Sequence, residues 1–240
     1  MTQTENWSRF AADLTKRLRL DVPPVALAFV DEPPPGVDTL QAEGPSACSF
    51  WRRAEREVFF APAAKHFGCA VGAMTMGFQL PETIRQSLVR TVETMCDAGY
   101  IAADEPGSMP SVKRSHAGIL YGPLADFPGR VDLVVLWVTP RQAMLFNEAG
   151  GQVAWSSSSQ TSIFGRPACA ALPVALSESR PTLSFGCLGM RTFTAIADDR
   201  LLAVVPAADL EGFTSRLAST CAANAAMGEV YEDMKAQFAG

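Results

Sequence analysis

The sequence predicts an α/β or α+β fold in which helices flank a mixed sheet. Two apolar runs, at residues 25–30 and 131–138, show almost no polar alternation, as expected for strands buried on both faces. Apolar residues recur at helical spacing over residues 4–20 and again after Pro81. The run at 131–138 is followed by a helix that Pro140 opens, an order typical of βα units.

Local chemistry predicts the elements of the first half in turn. Helices carry apolar residues on one face and begin or end near proline, whereas buried strands are short apolar runs. These criteria give a helix over 4–20, a strand over 25–30, a proline-rich loop over 31–36, a short helix over 49–57, a strand over 58–61 and a helix that begins at Pro81. Cys96 lies on the apolar stripe of the last helix, so we expect it in the core.

The same criteria apply to the second half. They give a loop over 102–115 that is a candidate hinge or lid, strands over 116–121 and 131–138, a helix over 141–148, a loop or helix start over 156–159, a helix-like segment over 163–176, a strand over 182–185, an extended continuation over 190–196, a strand over 201–205 and a terminal helical region to residue 238. Cys221 lies in that last region and is expected to be core.

Composition limits the classes of function. The chain has 240 residues, 48% of them hydrophobic, and we expect a single globular domain over 1–240 with internal halves at 20–115 and 116–206 and a helical segment at 207–240. A net charge of −5 and scattered basic residues argue against a nucleic-acid partner. Residues 1–10 lack a signal-peptide pattern and no apolar window of about 18 residues occurs, so we expect a cytoplasmic protein with no membrane partner and reduced thiols.

A Phe-Gly-Cys element occurs twice, ending at Cys69 and at Cys187. Another cysteine precedes each element: Cys48 lies 21 residues before Cys69, and Cys169 lies 18 residues before Cys187. The two elements are 118 residues apart, about half the chain, which indicates a weak internal duplication.

Two cysteine pairs, one in each half of the chain, predict either one metal site with four thiolate ligands or four ordinary buried cysteines. An iron–sulfur cluster, with 4Fe–4S favoured, fits ligands scattered over a fold, whereas structural zinc usually uses Cys-x-x-Cys pairs that this sequence lacks. Zinc, Cu(I) and no metal at all remain alternatives. Glycines near the cysteines would let backbone N–H groups approach a cluster, and nearby cations would offset its charge: Gly68, Gly72, Gly186 and Gly189, and Arg52, Lys65, Arg166 and Arg191.

Other chemistry is less well supported by the sequence. His66 and His116 are the only imidazoles, and either would be needed for a Cys69–His nucleophile pair. Met74, Met76 and Met190 admit a Cu(I) thioether site, although core packing explains methionines more often. Nucleotide-binding glycine motifs are absent.

Several features together resemble the family called domain of unknown function 169, also labelled ArCR. They are the strand after Pro23-Pro24, Cys48 followed by Arg52 and Arg53, Gly68-Cys69 with Gly72, the segments 132–135 and 139–144, Cys169, and the segment 184–191. The resemblance spans about residues 20–206 and implies cysteines at the family positions that match Cys48, Cys69, Cys169 and Cys187. This sequence departs from the family pattern at Ala70-Val71 and Leu188, which makes the surroundings more apolar.

These observations predict a redox or electron-transfer protein that carries its cluster on the four cysteines; if it is an enzyme, the expected class is an iron–sulfur oxidoreductase. Its expected partner is an electron-transfer protein or a small substrate under the 102–115 loop. Self-association into a homo-oligomer is a further alternative. The alternative is a non-catalytic module that binds or senses a small molecule or a metal. Thiol catalysis through Cys69 is a third possibility.

Overall fold

A computed structural model of the chain describes residues 3–151 and 161–238. It contains one mixed sheet with helices on both faces, which confirms the predicted fold class. The strands of the described ranges are β1 Val25–Val30, β2 Phe59–Pro62, β3 Gly118–Pro123, β4 Leu133–Val138, β5 Ser162–Phe164, β6 Thr182–Ser184 and β7 Leu201–Pro206.

The helices differ greatly in length and in burial. They are α1 Gln3–Leu18, α2 Ser49–Arg53, α3 Ala70–Thr75, α4 Glu82–Asp97, α5 Pro140–Ala149, α6 Ala171–Glu178, α7 Leu188–Thr194 and α8 Leu210–Gln237. The second half of α8 extends beyond the core and exposes an apolar stripe from Met227 to Phe238. Among the described residues, no helix combines the length and the apolar character needed to cross a bilayer.

Six of the seven strands form two units with the same topology, and β5 extends the second unit by pairing parallel with β6 at the edge of the sheet. Its strand order is β2-β3-β1-β4-β7-β6-β5. In the first unit β3 lies between β1 and β2, and in the second β7 lies between β4 and β6, with every one of these pairs antiparallel. The units meet where β1 pairs antiparallel with β4, so an approximate twofold axis runs through the sheet at that point. The boundary between the units therefore falls after Pro123, and β3 belongs to the first unit.

Alternating residues of the strands supply two hydrophobic cores. On β1, Val25, Leu27 and Phe29 face the side that carries α2, α3, α6 and α7, whereas Ala26 and Ala28 face α1, α5 and α8. Because both faces are covered, the central strands have almost no exposed residues, which explains their unbroken apolar runs. The two Phe-Gly-Cys elements follow β2 and β6, which hold equivalent places in the two units.

Several predicted elements were wrong. Residues 190–196 are not extended, because α7 occupies Leu188–Thr194 and ends at Ala195 in a left-handed conformation (φ 49°). The helix-like segment at 163–176 begins instead with β5, and helix α6 starts only at Ala171. Cys96 is half-buried on α4, a helix with no buried residue, so it is not a core residue. The 156–159 prediction lies outside the described residues.

The buried carboxylate of Asp132 joins the two units at the start of β4. It accepts hydrogen bonds from the backbone N–H of Phe29 (2.8 Å) and from the guanidinium of Arg114 (3.3 Å to Oδ1), and Arg130 forms a further ion pair with it at 3.5 Å. Arg114 also donates to Phe29 O at 3.2 Å. This network ties the end of the 102–115 loop to the centre of the sheet.

We predict that Asp132→Ala destabilises the protein by about 2–4 kcal/mol, because it leaves a buried N–H and a partly buried guanidinium without their acceptor. The free energy of unfolding from urea titration measures the effect. Asp126→Ala is the matched control, since Asp126 is exposed, and it should change stability by less than about 0.5 kcal/mol. Equal effects of the two substitutions would contradict the assignment of Asp132 as a structural anchor.

Candidate functional site

The first unit brings Cys48 and Cys69 to the ends of short helices. Cys48 precedes α2, and its Sγ lies 3.1 Å from the hydroxyl of Ser46. Cys69 caps α3, where the backbone N–H of Gly72 donates to Cys69 Sγ at 3.4 Å. Gly68 permits the two segments to meet, because a Cβ at this position would lie 2.3 Å from Gly44 O.

The second unit repeats this arrangement with Cys169 and Cys187. Cys187 caps α7 and accepts a hydrogen bond from Met190 N at 3.4 Å, the same distance as at Cys69. Cys169 lies in a single 3-10 turn, Ala168–Ala170, just before α6 and is buried. Gly186 has φ +91°, a backbone conformation that glycine adopts without strain. The glycines of the two Phe-Gly-Cys elements therefore have different structural roles.

All four of these cysteines line one cavity of about 530 Å³. They also interact electrostatically with one another. A charge on Cys187 or Cys69 raises the pKa of Cys48, and a charge on any of the other three raises the pKa of Cys169. Cys96 and Cys221 do not line the cavity. Cys221 packs at the edge of the other core, with its Sγ 3.7 Å from Arg17 O.

Burial favours the neutral form of three cavity thiols, those of Cys48, Cys69 and Cys169. Burial raises the pKa of Cys48 to about 11. The hydrogen bond with the Ser46 hydroxyl lowers this pKa, but by less than burial raises it. Burial likewise raises the pKa of Cys69 and, more strongly, that of Cys169. A nucleophilic cysteine needs a lowered pKa, so this environment disfavours thiol catalysis through Cys69.

A helix and a loop cover the cavity. We call residues 82–110 the lid: it comprises α4 and the loop that follows. Leu88, Val92 and Met95 of α4 line the cavity and are only half-buried, while Val89 on the outer surface is 52% exposed. The loop contributes Tyr100, Ile101, Ser108, Met109 and Pro110 to the lining. The apolar stripe that predicted a core-facing helix thus faces the cavity.

Tyr100 and Arg166 contact each other at the entrance. The guanidinium of Arg166 lies 4.0 Å from the centre of the Tyr100 ring, a cation–π contact between the lid and the segment after β5. Both residues, with Cys187, also line an outer cavity of about 470 Å³ that adjoins the first. Arg191 and Gly186 line this outer cavity only.

The predicted glycines and cations lie in different places. Gly72 and Gly189 line the inner cavity, whereas Gly68 and Lys65 do not line either cavity. The ammonium group of Lys65 donates to Gln41 O at 2.6 Å. Arg52 forms an ion pair with Glu55. The guanidinium of Arg191 donates to three backbone carbonyls, those of Phe185, Ala197 and Arg200.

Neither histidine lines the cavities. His66 is fully buried, with Nδ1 3.1 Å from Pro62 O and Nε2 2.9 Å from Tyr121 Oη. Because a carbonyl oxygen only accepts, Nδ1 carries the hydrogen and Nε2 accepts from the tyrosine hydroxyl. Burial lowers the pKa of His66 to about 4, so the ring is neutral at pH 7 and its role is structural. His116 contacts Arg114 O at 2.9 Å through Nδ1.

Within residues 3–151 and 161–238, no three His, Cys, Asp or Glu side chains lie close enough together to hold a single metal ion. All four thiols line the cavity, but they do not form a ready-made site for one ion. Of the three methionines near the cysteines, Met74 and Met190 line the cavity, and Met76 and Met190 are buried in the core.

The sequence predicted the helix after Pro81 but placed its apolar stripe in the core rather than over a cavity, and it did not predict the pairing of Arg166 with Tyr100. Arg166 was singled out only as a cation near Cys169. The one-sided stripe of α4 was visible in the sequence, yet a stripe facing a cavity has the same periodicity as one facing a core.

We predict that iodoacetamide alkylates Cys48 about a hundredfold more slowly than an unperturbed thiol at pH 7.5 in reduced, metal-free protein, because a pKa of about 11 leaves correspondingly little thiolate. Mass spectrometry of tryptic peptides gives the rate at each cysteine. Cys96, half-buried on the lid, serves as the internal comparison and should react faster than Cys48 and Cys169. Preferential labelling of Cys69 would instead support a catalytic thiol.

Comparison with known proteins gives a family for the chain. Neither the curated proteins nor the solved structures yielded a match. The model of domain of unknown function 169, described as uncharacterised ArCR, matches residues 13–215. That range includes both units of the sheet and all four cavity cysteines, and the chain belongs to this family.

Proposed function

We propose that Cys48, Cys69, Cys169 and Cys187 ligate an iron–sulfur cluster, with 4Fe–4S favoured, and that the protein performs electron transfer or a redox reaction on a small substrate. One observation supports this most strongly: four cysteines from equivalent places in the two units line one cavity. The described residues of its lining include no carboxylate and no imidazole.

The donor set favours a cluster over a single ion. Four thiolates without harder ligands suit iron–sulfur clusters, zinc or Cu(I). Structural zinc usually uses Cys-x-x-Cys pairs, which this sequence lacks, whereas a cluster accepts cysteines scattered along the chain. Zinc and Cu(I) are therefore the weaker alternatives.

The surroundings of the cysteines are compatible with such a group. A Cβ on Gly189 would meet no atom within 4 Å apart from its chain neighbours and the backbone of its own helix, so there is open space beside Cys187. The backbone N–H groups of Gly72 and Met190 point at sulfur, and hydrogen bonds of this kind tune the potential of a cluster. Metal binding deprotonates coordinating thiols outright, so loading the site would release protons from the buried cysteines.

A bound cluster would supply one-electron transfer at the wall of the cavity. The chain's own residues would then do three things. The apolar side chains of the lid would keep water away from the sulfurs. Cys187 lines both cavities, so it would give electrons a path from the cluster to the surface. Arg166 places a positive charge at the entrance, where an anionic reactant would approach.

We predict that protein purified without oxygen contains iron and acid-labile sulfide in equal amounts and absorbs broadly in the visible range, and that Cys187→Ser abolishes most of this content. The measurements are an optical spectrum and chemical iron and sulfide assays. Cys96→Ser is the matched control, because Cys96 is a half-buried cysteine outside the cavity, and it should retain full iron and sulfide content.

Colourless wild-type protein without metal, as stable as Cys187→Ser, would contradict the proposal. The second candidate would then apply: a module that binds or senses a small molecule, with buried thiols as part of its wall. The mainly apolar cavity supports that candidate, and ligand binding without turnover is its expected behaviour.

A further inference from the structure

The wall of the inner cavity is mainly apolar and adaptable. Aliphatic and aromatic side chains form most of it, and flexible thioethers complete it: Met74, Met95, Met109 and Met190. Methionine side chains adjust to ligands of irregular or variable shape because they are unbranched and polarizable. At about 530 Å³ the cavity falls within the size range of small-molecule sites. It therefore suits a flexible apolar body.

The charges around the cavity all have one sign. Arg166 is the charged residue of the inner lining, and the outer cavity adds Arg191, while no described Asp or Glu lines either space. This is unusual for a chain with a net charge of −5. A cationic ligand would find no counter-charge here, whereas an anionic group would be attracted to the entrance.

Arg166 has donors available for such a group. Within residues 3–151 and 161–238 its guanidinium stacks on Tyr100 and has no carboxylate partner. Arg191 differs, because its N–H groups already donate to backbone carbonyls. A guanidinium stacked on a ring keeps its edge free, and that edge matches the two oxygens of a carboxylate.

We propose that the inner cavity binds a monocarboxylate with a flexible apolar chain, the carboxylate on Arg166 at the entrance and the chain between the lid and the cysteines. The description of this ligand as a redox substrate rests on the proposed function, whereas its binding does not. Among the described residues, Arg166 is the one charged residue of the inner lining, and it contacts Tyr100 of the lid. A carboxylate bound to Arg166 would therefore lie beside the lid.

The experiment is titration calorimetry of the full chain with hexanoate, octanoate and decanoate, and with decanol as the uncharged probe. Affinity should rise about threefold to fourfold for each added methylene, since each is transferred from water to an apolar wall. Arg166→Gln should weaken decanoate about fivefold and leave decanol unchanged, and Arg166→Lys should restore part of the loss. Arg90→Gln, on the exposed surface of α4, is the control and should change neither.

A second pair of variants tests the location. Val92 faces the cavity and Val89 faces solvent on the same helix, so Val92→Phe should weaken decanoate and decanol at least tenfold and Val89→Phe should weaken neither. Binding that is absent, or equal in Val92→Phe and Val89→Phe, would overturn the proposal.

The same titration with Cys187→Ser separates the two proposals. Decanoate binding that persists in this variant while wild-type protein lacks iron would support the ligand class and remove the cluster. Stoichiometric iron and sulfide without any binding of the carboxylates would support the cluster and overturn the carboxylate ligand.

Discussion

The antiparallel pairing of β1 with β4 sets how the two units of the sheet are placed relative to each other. Three residue pairs define it, Val25 with Val135, Ala26 with Val134 and Leu27 with Leu133, and all of these side chains are buried. A twofold axis perpendicular to a sheet relates two antiparallel strands, so this pairing places equivalent parts of both units on the same face. That is why two cysteines from each half of the chain line one cavity. Asp132, just before β4, holds the junction through Phe29 N.

Burial determines the chemistry available at the cavity. Taking thiols out of water raises the pKa values of Cys48, Cys69 and Cys169, and the thiols oppose one another's ionisation. Raised pKa values leave little thiolate at Cys48, Cys69 and Cys169, which slows alkylation and nucleophilic attack at these three residues. The lid maintains this state because its apolar stripe faces the sulfurs rather than a packed core. The lid shields the sulfurs from water, and α4 itself has no buried residue because its apolar stripe faces the cavity.

Much of the fold was predictable because its central strands are buried on both faces, and residues 25–30 and 133–138 carry that requirement in their composition. The four cysteines were singled out by their matching neighbours, and the structure brings them to one cavity. Helix α7 was missed because residues 190–196 include Thr192, Phe193 and Ile196, types that favour strands, whereas the Cys187 cap favours the helix. The contact between Tyr100 and Arg166 depends on tertiary packing between distant segments, which no local pattern records.

The central claim is that Cys48, Cys69, Cys169 and Cys187 act together on one group of iron and sulfide. X-ray absorption at the iron edge of anaerobically prepared protein tests it most directly, since it reports the atoms around iron whatever the activity is. We expect only sulfur atoms bonded to iron and a second iron at short range, as in clusters held by cysteine thiolates. Nitrogen or oxygen ligands around iron, or an isolated ion without an iron neighbour, would contradict it.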